Sequence, residues 1–264
     1  MEREAAIRLL SFLTVFATVT LCEYLWPRRP LTTDKARRWF TNISIAILDT
    51  LVARLMLPVM PAVAATMAAD RGWGLLSVLG TPLWLSALFS FLALDLLIYL
   101  QHRIFHRTPL FWRFHRMHHT DLDIDVSSGN RFHPVEILVS LLIKVAAVVL
   151  LGAPVVAVLL FEVILNATSL FNHGNIKIPS GVDAWLRLVL VTPDMHRVHH
   201  SAIPRETDSN FSFNFPWWDR LFGTYRDQPR DGHLDMVIGL KEFRDPNRLG
   251  LAYLLMLPFR GRNG

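Results

Sequence analysis

The string His-Arg-x-His-His occurs twice in this chain, at positions 115–119 and 196–200, and His102 and His106 stand just upstream with three residues between them. Eight of the 11 histidines fall in these three clusters. On a helix, residues at i, i+3 and i+4 share one face. His102 with His106, His115 with His118 and His119, and His196 with His199 and His200 would therefore each present a converging set of imidazoles. Histidine is the commonest side-chain metal ligand, and packing has no use for eight imidazoles at this spacing. They are too many for one ion, whereas two ions about 3.5–4 Å apart would use them well. The single cysteine, Cys22, sits in an apolar run away from the clusters. An all-imidazole set without thiolate suits iron, zinc, copper or nickel.

The rest of the chain must carry these clusters, and it is 52% hydrophobic with mean hydropathy +0.32. Spanning a bilayer takes about 20 apolar residues as helix. Four or five such segments can be drawn, at residues 5–26, 43–69, 83–100, 135–151 and 155–171. Pro58 and Pro61 would kink the second, and Gly152-Ala153-Pro154 reads as the turn of a short, shallow helical hairpin. The expected fold is an all-α integral membrane bundle of about four spanning helices with a histidine-rich, metal-binding cytoplasmic cap. Orientation follows from the basic residues. Residues 27–42 carry Arg28, Arg29, Lys35, Arg37 and Arg38, while residues 70–82 carry only Arg71. The positive-inside rule puts the first loop in the cytoplasm, and counting spans onward delivers every histidine cluster to that same face. The acidic start, Met1-Glu2-Arg3-Glu4, is unlike a signal peptide. Net charge is +5, but no basic stripe interleaved with aromatics argues for nucleic acid.

Charges inside the spans need partners, because one at the bilayer centre costs roughly 2.5–3.5 kcal/mol. Asp49 and Arg54 fall in the second segment. Lys144 and Glu162, about equally far from the hairpin turn, are expected to pair across it. Positions 95, 99, 102 and 106 form one stripe down the third helix. A ligating histidine commonly donates its second N–H to a carboxylate or carbonyl, so Asp95, acting through Tyr99, is the candidate orienting group. His173 follows the hairpin on the cluster side and is read as a ninth ligand. His133, also at the interface, is read as an outer hydrogen-bonding partner. His233 stands alone in a polar loop.

The ordered set Asp95-x-x-x-Tyr99-x-x-His102-Arg103-x-x-His106, His115-x-x-His118-His119 and His196-Arg197-x-His199-His200 resembles the fatty acid hydroxylase and sterol desaturase superfamily. Arg131-Phe132-His133-Pro134-x-Glu136, Asn172-His173-Gly174-Asn175 and Trp218-Asp219-Arg220-Leu221-Phe222-Gly223-Thr224-Tyr225 add to the match. The resemblance implies a membrane-bound di-iron oxygenase that uses O2 and two electrons to hydroxylate or desaturate a lipid C–H bond. It implies the eight clustered histidines as iron ligands with His173 beside them, and Glu136 among the outer partners. Residues 83–225 would then be the catalytic domain, with membrane helices and loops at 1–82 and a cytoplasmic or interfacial tail at 226–264. The chain shows no Gly-x-Gly-x-x-Gly dinucleotide fingerprint and no fused haem module, so a separate electron donor is implied. A bacterial inner membrane is the expected location. Two other readings compete: a non-redox zinc enzyme on the same scaffold, and a metal-transport or metal-storage membrane protein. Transport would favour polar residues through several spans, whereas here the histidines gather on one face.

Overall fold

A computed structural model describes residues 2–57 and 60–260. Eight helices come first: α1 (Glu2–Leu25), α2 (Lys35–Met56), α3 (Pro61–Arg71), α4 (Leu75–Val78), α5 (Leu83–Arg107), α6 (Pro109–His119), α7 (Pro134–Leu151) and α8 (Val155–Asn172). Six short helices follow: α9 (Ser180–Leu186), α10 (Pro193–His199), α11 (Pro204–Thr207), α12 (Trp217–Leu221), α13 (Gly232–Asp235) and α14 (Leu251–Met256). The described residues form no strand beyond two isolated bridges, Pro27 with Ile176 and Ser201 with Ile238. Among the described residues, five segments are long and apolar enough to cross a membrane: Glu4–Leu25, Lys35–Val78, Leu83–Arg107, Pro134–Leu151 and Val155–Asn172.

Helix boundaries follow local chemistry. The Asp34 carboxylate accepts from Arg37 N and caps α2. Proline at the first helical position sacrifices no hydrogen bond, and Pro61, Pro109, Pro134 and Pro193 each open a helix in this way. This corrects the expectation of one kinked helix over residues 43–69. Pro61 starts a separate helix after Met60 instead of bending a continuous one, while Pro58 lies outside the described residues.

The α7–α8 hairpin is not shallow. It forms the centre of the bundle, with α8 packed on α1, α3 and α5, and α7 on α2, α3 and α5. Val148, Val158 and Phe161 are fully buried there beside Leu94 of α5. The turn depends on Gly152, whose φ of +69° is left-handed. A Cβ on Gly152 would stand 2.6 Å from Trp73 O, and one on Gly74 would stand 2.0 Å from Gly152 N, so backbone meets backbone here. Elsewhere the surface inverts the water-soluble rule. Leu10 is 63% and Leu55 80% exposed. Arg131 and Arg197, in contrast, are fully buried near the histidines. Large aliphatic side chains facing outward along helices of this length are what a hydrocarbon solvent calls for.

The end of the bundle opposite Gly152 gathers the C-termini of α5 and α8, the N-termini of α2 and α7, and the whole of α6 and α10. The last segment packs onto this end. Leu254 and Leu257 are buried with Ile45 of α2 and Met117 of α6, so residues 226–260 include part of the cap's own core.

Candidate metal centre

Nine histidines meet at this end. Two come from the last turns of α5 (His102, His106), three from α6 (His115, His118, His119), one from the C-cap of α8 (His173), and three from α10 and its cap (His196, His199, His200). They sort into two groups. His102, His106, His115, His119 and His199 converge in one, and His118, His173, His196 and His200 in the other, with the ligand atoms of each group within 4.8 Å of one another. The two His-Arg-x-His-His strings are each split between the groups.

The nitrogen chemistry says what the groups can hold. His118 Nδ1 lies 3.2 Å from Arg131 O, and His173 Nδ1 2.7 Å from Ser169 O. A carbonyl only accepts, so each Nδ1 carries the hydrogen and each Nε2 of a neutral ring is a bare lone pair. These two Nε2 atoms nevertheless stand 3.1 Å apart. Burial holds His118 well below the ordinary histidine pKa and pushes His173 down to about 4, with neighbouring imidazoles adding to both shifts. Two lone pairs cannot bond to each other, but a cation between them resolves the contact. The same apposition recurs at 3.1 Å between His102, whose Nδ1 faces Phe211 O, and His115, whose Nδ1 faces Glu136. His106–His119, His173–His196, His115–His119 and His196–His200 add Nε2 pairs at 3.1–3.3 Å. An ion about 2.1 Å from each nitrogen sets neighbouring ligands roughly 3.0–3.4 Å apart. His199 Nε2 is buried without a hydrogen-bond partner. Burial also lowers His119, His196 and His200 well below the ordinary value and His199 to about 3, keeping these lone pairs free of protons. The donor set fits two transition-metal ions.

Of the outer partners expected, Glu136 meets a clustered histidine, whereas Asp95, Tyr99 and His133 do not. Asp95 reaches no histidine: its Oδ2 accepts from Trp218 Nε1 at 2.7 Å, and the Tyr99 hydroxyl pairs with Thr224 Oγ1 at 2.9 Å. His102 is oriented instead by Phe211 O. The carboxylate that does meet a histidine in the core is Glu136, with Oε1 2.7 Å from His115 Nδ1. Glu136→Gln is expected to weaken metal binding about 10–100-fold, read by competition with a chelator; wild-type affinity in that variant would show the contact to be incidental. His133 does not join the cluster. Its Nδ1 accepts from Val135 N to cap α7, and its Nε2 faces Leu255 O at 3.1 Å. His233 bonds Gln228 Oε1 at 3.1 Å. Lys144 Nζ lies 3.2 Å from Glu162 Oε1, and Arg8 of α1 binds the other oxygen at 2.6 Å.

Several important residues carried no sequence signal or a faint one. Asp208 Oδ1 lies 3.2 Å from His106 Nδ1, yet nothing marks it in the sequence. Carbonyls of Phe211, Ser209, Arg131 and Ser169 orient four histidines, and a carbonyl leaves no trace in residue type. The arginines inside the repeated string did offer a signal. Arg116 donates to Leu257 O and pins the final segment, while Arg197 is clasped by Asp194. Beneath the centre the protein's apolar core begins. Phe132 stacks on His118 at 4.5 Å, Phe213 sits 5.2 Å from His102, and both belong to the cluster of Leu94, Ile98 and Phe161.

Sequence comparison places this arrangement among known proteins. An ornithine lipid hydroxylase, OlsE, from Rhizobium tropici is 33% identical over 141 residues, 53% of this chain and 42% of that protein. The alkylglycerol monooxygenase of Homo sapiens is 29% identical over 147 residues, 54% of this chain and 30% of its own length. A very-long-chain aldehyde decarbonylase from Oryza sativa subsp. indica is 30% identical over 173 residues, 60% of this chain and 27% of its own. The match thus spans less than half the length of each relative. No solved structure matches the chain. The family model for fatty acid hydroxylases matches residues 87–224, from the second turn of α5 through α10 to the loop after α12. Because that stretch holds all nine clustered histidines and the backbone groups that orient them, the chain belongs to the fatty acid hydroxylase family.

Proposed function

We propose that the protein is a membrane-bound oxygenase that hydroxylates a lipid C–H bond. His102, His106, His115, His119 and His199 would hold one iron, and His118, His173, His196 and His200 the other. The observation that carries this reading is the facing of lone pairs across 3.1 Å in both histidine groups, directly above the protein's apolar core. Two redox-active ions there would pass a donor's electrons to O2 and so activate it. The balance is RH + O2 + 2 e⁻ + 2 H⁺ → ROH + H2O, with both electrons coming from a separate donor.

The chain's own residues do the rest. Burial keeps the imidazoles neutral and ready to bind metal, and the Nδ1 partners fix which nitrogen faces inward. Phe132 and Phe213 form the wall between the histidines and the apolar core. An acyl chain approaching from the bilayer would meet these rings, which also exclude water. The cap would face the cytoplasm of a bacterial inner membrane, as the distribution of basic residues favours. Desaturation of the same C–H bond remains the alternative outcome of the same chemistry.

The test is metal content and O2 uptake of detergent-purified protein, prepared with iron and zinc controlled, with a lipid extract and a chemical reductant present. Two irons per chain, lipid-dependent O2 uptake and a product one oxygen atom heavier are expected. Stable zinc under iron-replete conditions with no O2 uptake would replace this reading with the non-redox one.

A further inference from the structure

Among the Nδ1 contacts of the described histidines, one leads to an exposed side chain. Six of the nine histidines have an Nδ1 contact, to Phe211, Asp208, Glu136, Arg131, Ser169 and Ser209. Five of these partner residues are buried. The sixth, Asp208, has a side chain 61% exposed, while the His106 side chain behind it is fully buried. The indole of Trp112 lies 4.9 Å from the His106 ring and 5.4 Å from that of His119, so it covers the same corner of the five-histidine group. Asp208 and Trp112 together therefore lie between this corner of the group and water.

The surroundings of Asp208 are basic. Arg107 is exposed and near enough to act on the Asp208 charge. Arg103, His106 and Arg107 stand at i, i+3 and i+4 on α5 and share a face. Arg205, also exposed, lies three residues before Asp208 in α11. Opposite charges across such a surface steer encounter and raise association rates, and salt weakens the effect.

We propose that a one-electron carrier protein with an acidic face docks over Asp208 and Trp112 and reduces the five-histidine group by way of His106. This rests on the oxygenase reading. Each docking transfers one electron and leaves the carrier oxidised by one, so two dockings supply the pair consumed per turnover.

The experiment uses iron-loaded full-length protein, held anaerobically, and a reduced plant-type [2Fe–2S] ferredoxin as an acidic probe. Stopped-flow absorbance follows ferredoxin oxidation, and dithionite with methyl viologen serves as the small-molecule reductant. The expected result is a ferredoxin rate that falls steeply between low and physiological salt, and falls at least about tenfold in Arg107→Glu and Arg205→Glu. Reduction by methyl viologen should stay unchanged in both variants. Equal ferredoxin rates in wild type and variants, no transfer to wild type at low salt, or an equal slowing of methyl viologen reduction would each overturn the docking site. Failure of the oxygenase reading looks different: protein that binds no iron, or iron that methyl viologen does not reduce.

Discussion

If the two histidine groups each hold an ion as proposed, His173→Ala is expected to strip one of the two and to lower O2-dependent turnover more than about a hundredfold, since loss of even an outer partner costs about 10–100-fold. His173 is one of four histidines in its group, and its Nε2 stands 3.1 Å from both His118 and His196. Its removal leaves three ligands and opens the middle of the set. His199→Ala should behave differently. It takes one ligand from a group of five, so the ion should remain, more weakly held. Metal analysis after graded dialysis against a chelator separates the two outcomes. Equal retention of both ions in both variants would contradict the division into five and four.

Arg38→Ala is expected to destabilise the protein by about 3–5 kcal/mol, the usual cost of removing one partner from a buried ion pair. Arg38 binds both Asp121 oxygens at 2.7 and 2.9 Å and Asp125 at 2.7 Å, and it also donates to Asp123 O. Without it two buried carboxylates would face each other beside Ser128. An apparent Tm lower by roughly 10 °C in detergent would be the readout; an unchanged Tm would mean that water replaces the guanidinium. Burial opposes ionisation of Asp121, but Arg38 and Arg131 outweigh it and hold the carboxyl well below the usual carboxylate range. A depressed carboxylate stabilises the fold above its unfolded pKa of about 3.9 and loses that contribution only as pH falls through the lower folded value. Acid sensitivity from this network should therefore appear well below pH 4. The network also reaches the metal centre. Arg131 binds Asn42 and Thr120 through its side chain and His118 through its carbonyl.

What the sequence revealed was local and periodic. Spacing of three and four put His102 with His106, and His115 with His118 and His119, on single helix faces, and apolar runs marked the long helices. What it hid was contact between distant segments. The stripe from Asp95 to His106 looked like a relay because helical spacing was the only geometry visible. The structure gives Asp95 to Trp218, 123 residues away, and His106 to Asp208, 102 residues away. Glu136 was visible as part of a motif, but its bond to His115 depends on how α7 starts beside α6. The central place of the hairpin was also hidden, since hydropathy measures how apolar a helix is and not whether lipid or protein surrounds it.

The clasp of Arg8, Lys144 and Glu162 has a consequence for biogenesis. Arg8 and Glu162 are 154 residues apart, so α1 leaves the ribosome long before its partner exists. Lys144 waits only the 18 residues of the hairpin. An unpaired charge in the hydrocarbon is costly, which favours insertion of α7 and α8 together as a pre-neutralised unit. Until then the Arg8 guanidinium has only Glu4, one turn away on its own helix. Among the candidate spans of the described residues, α8 thus carries the carboxylate that locks α1, so that contact in the membrane waits on the hairpin.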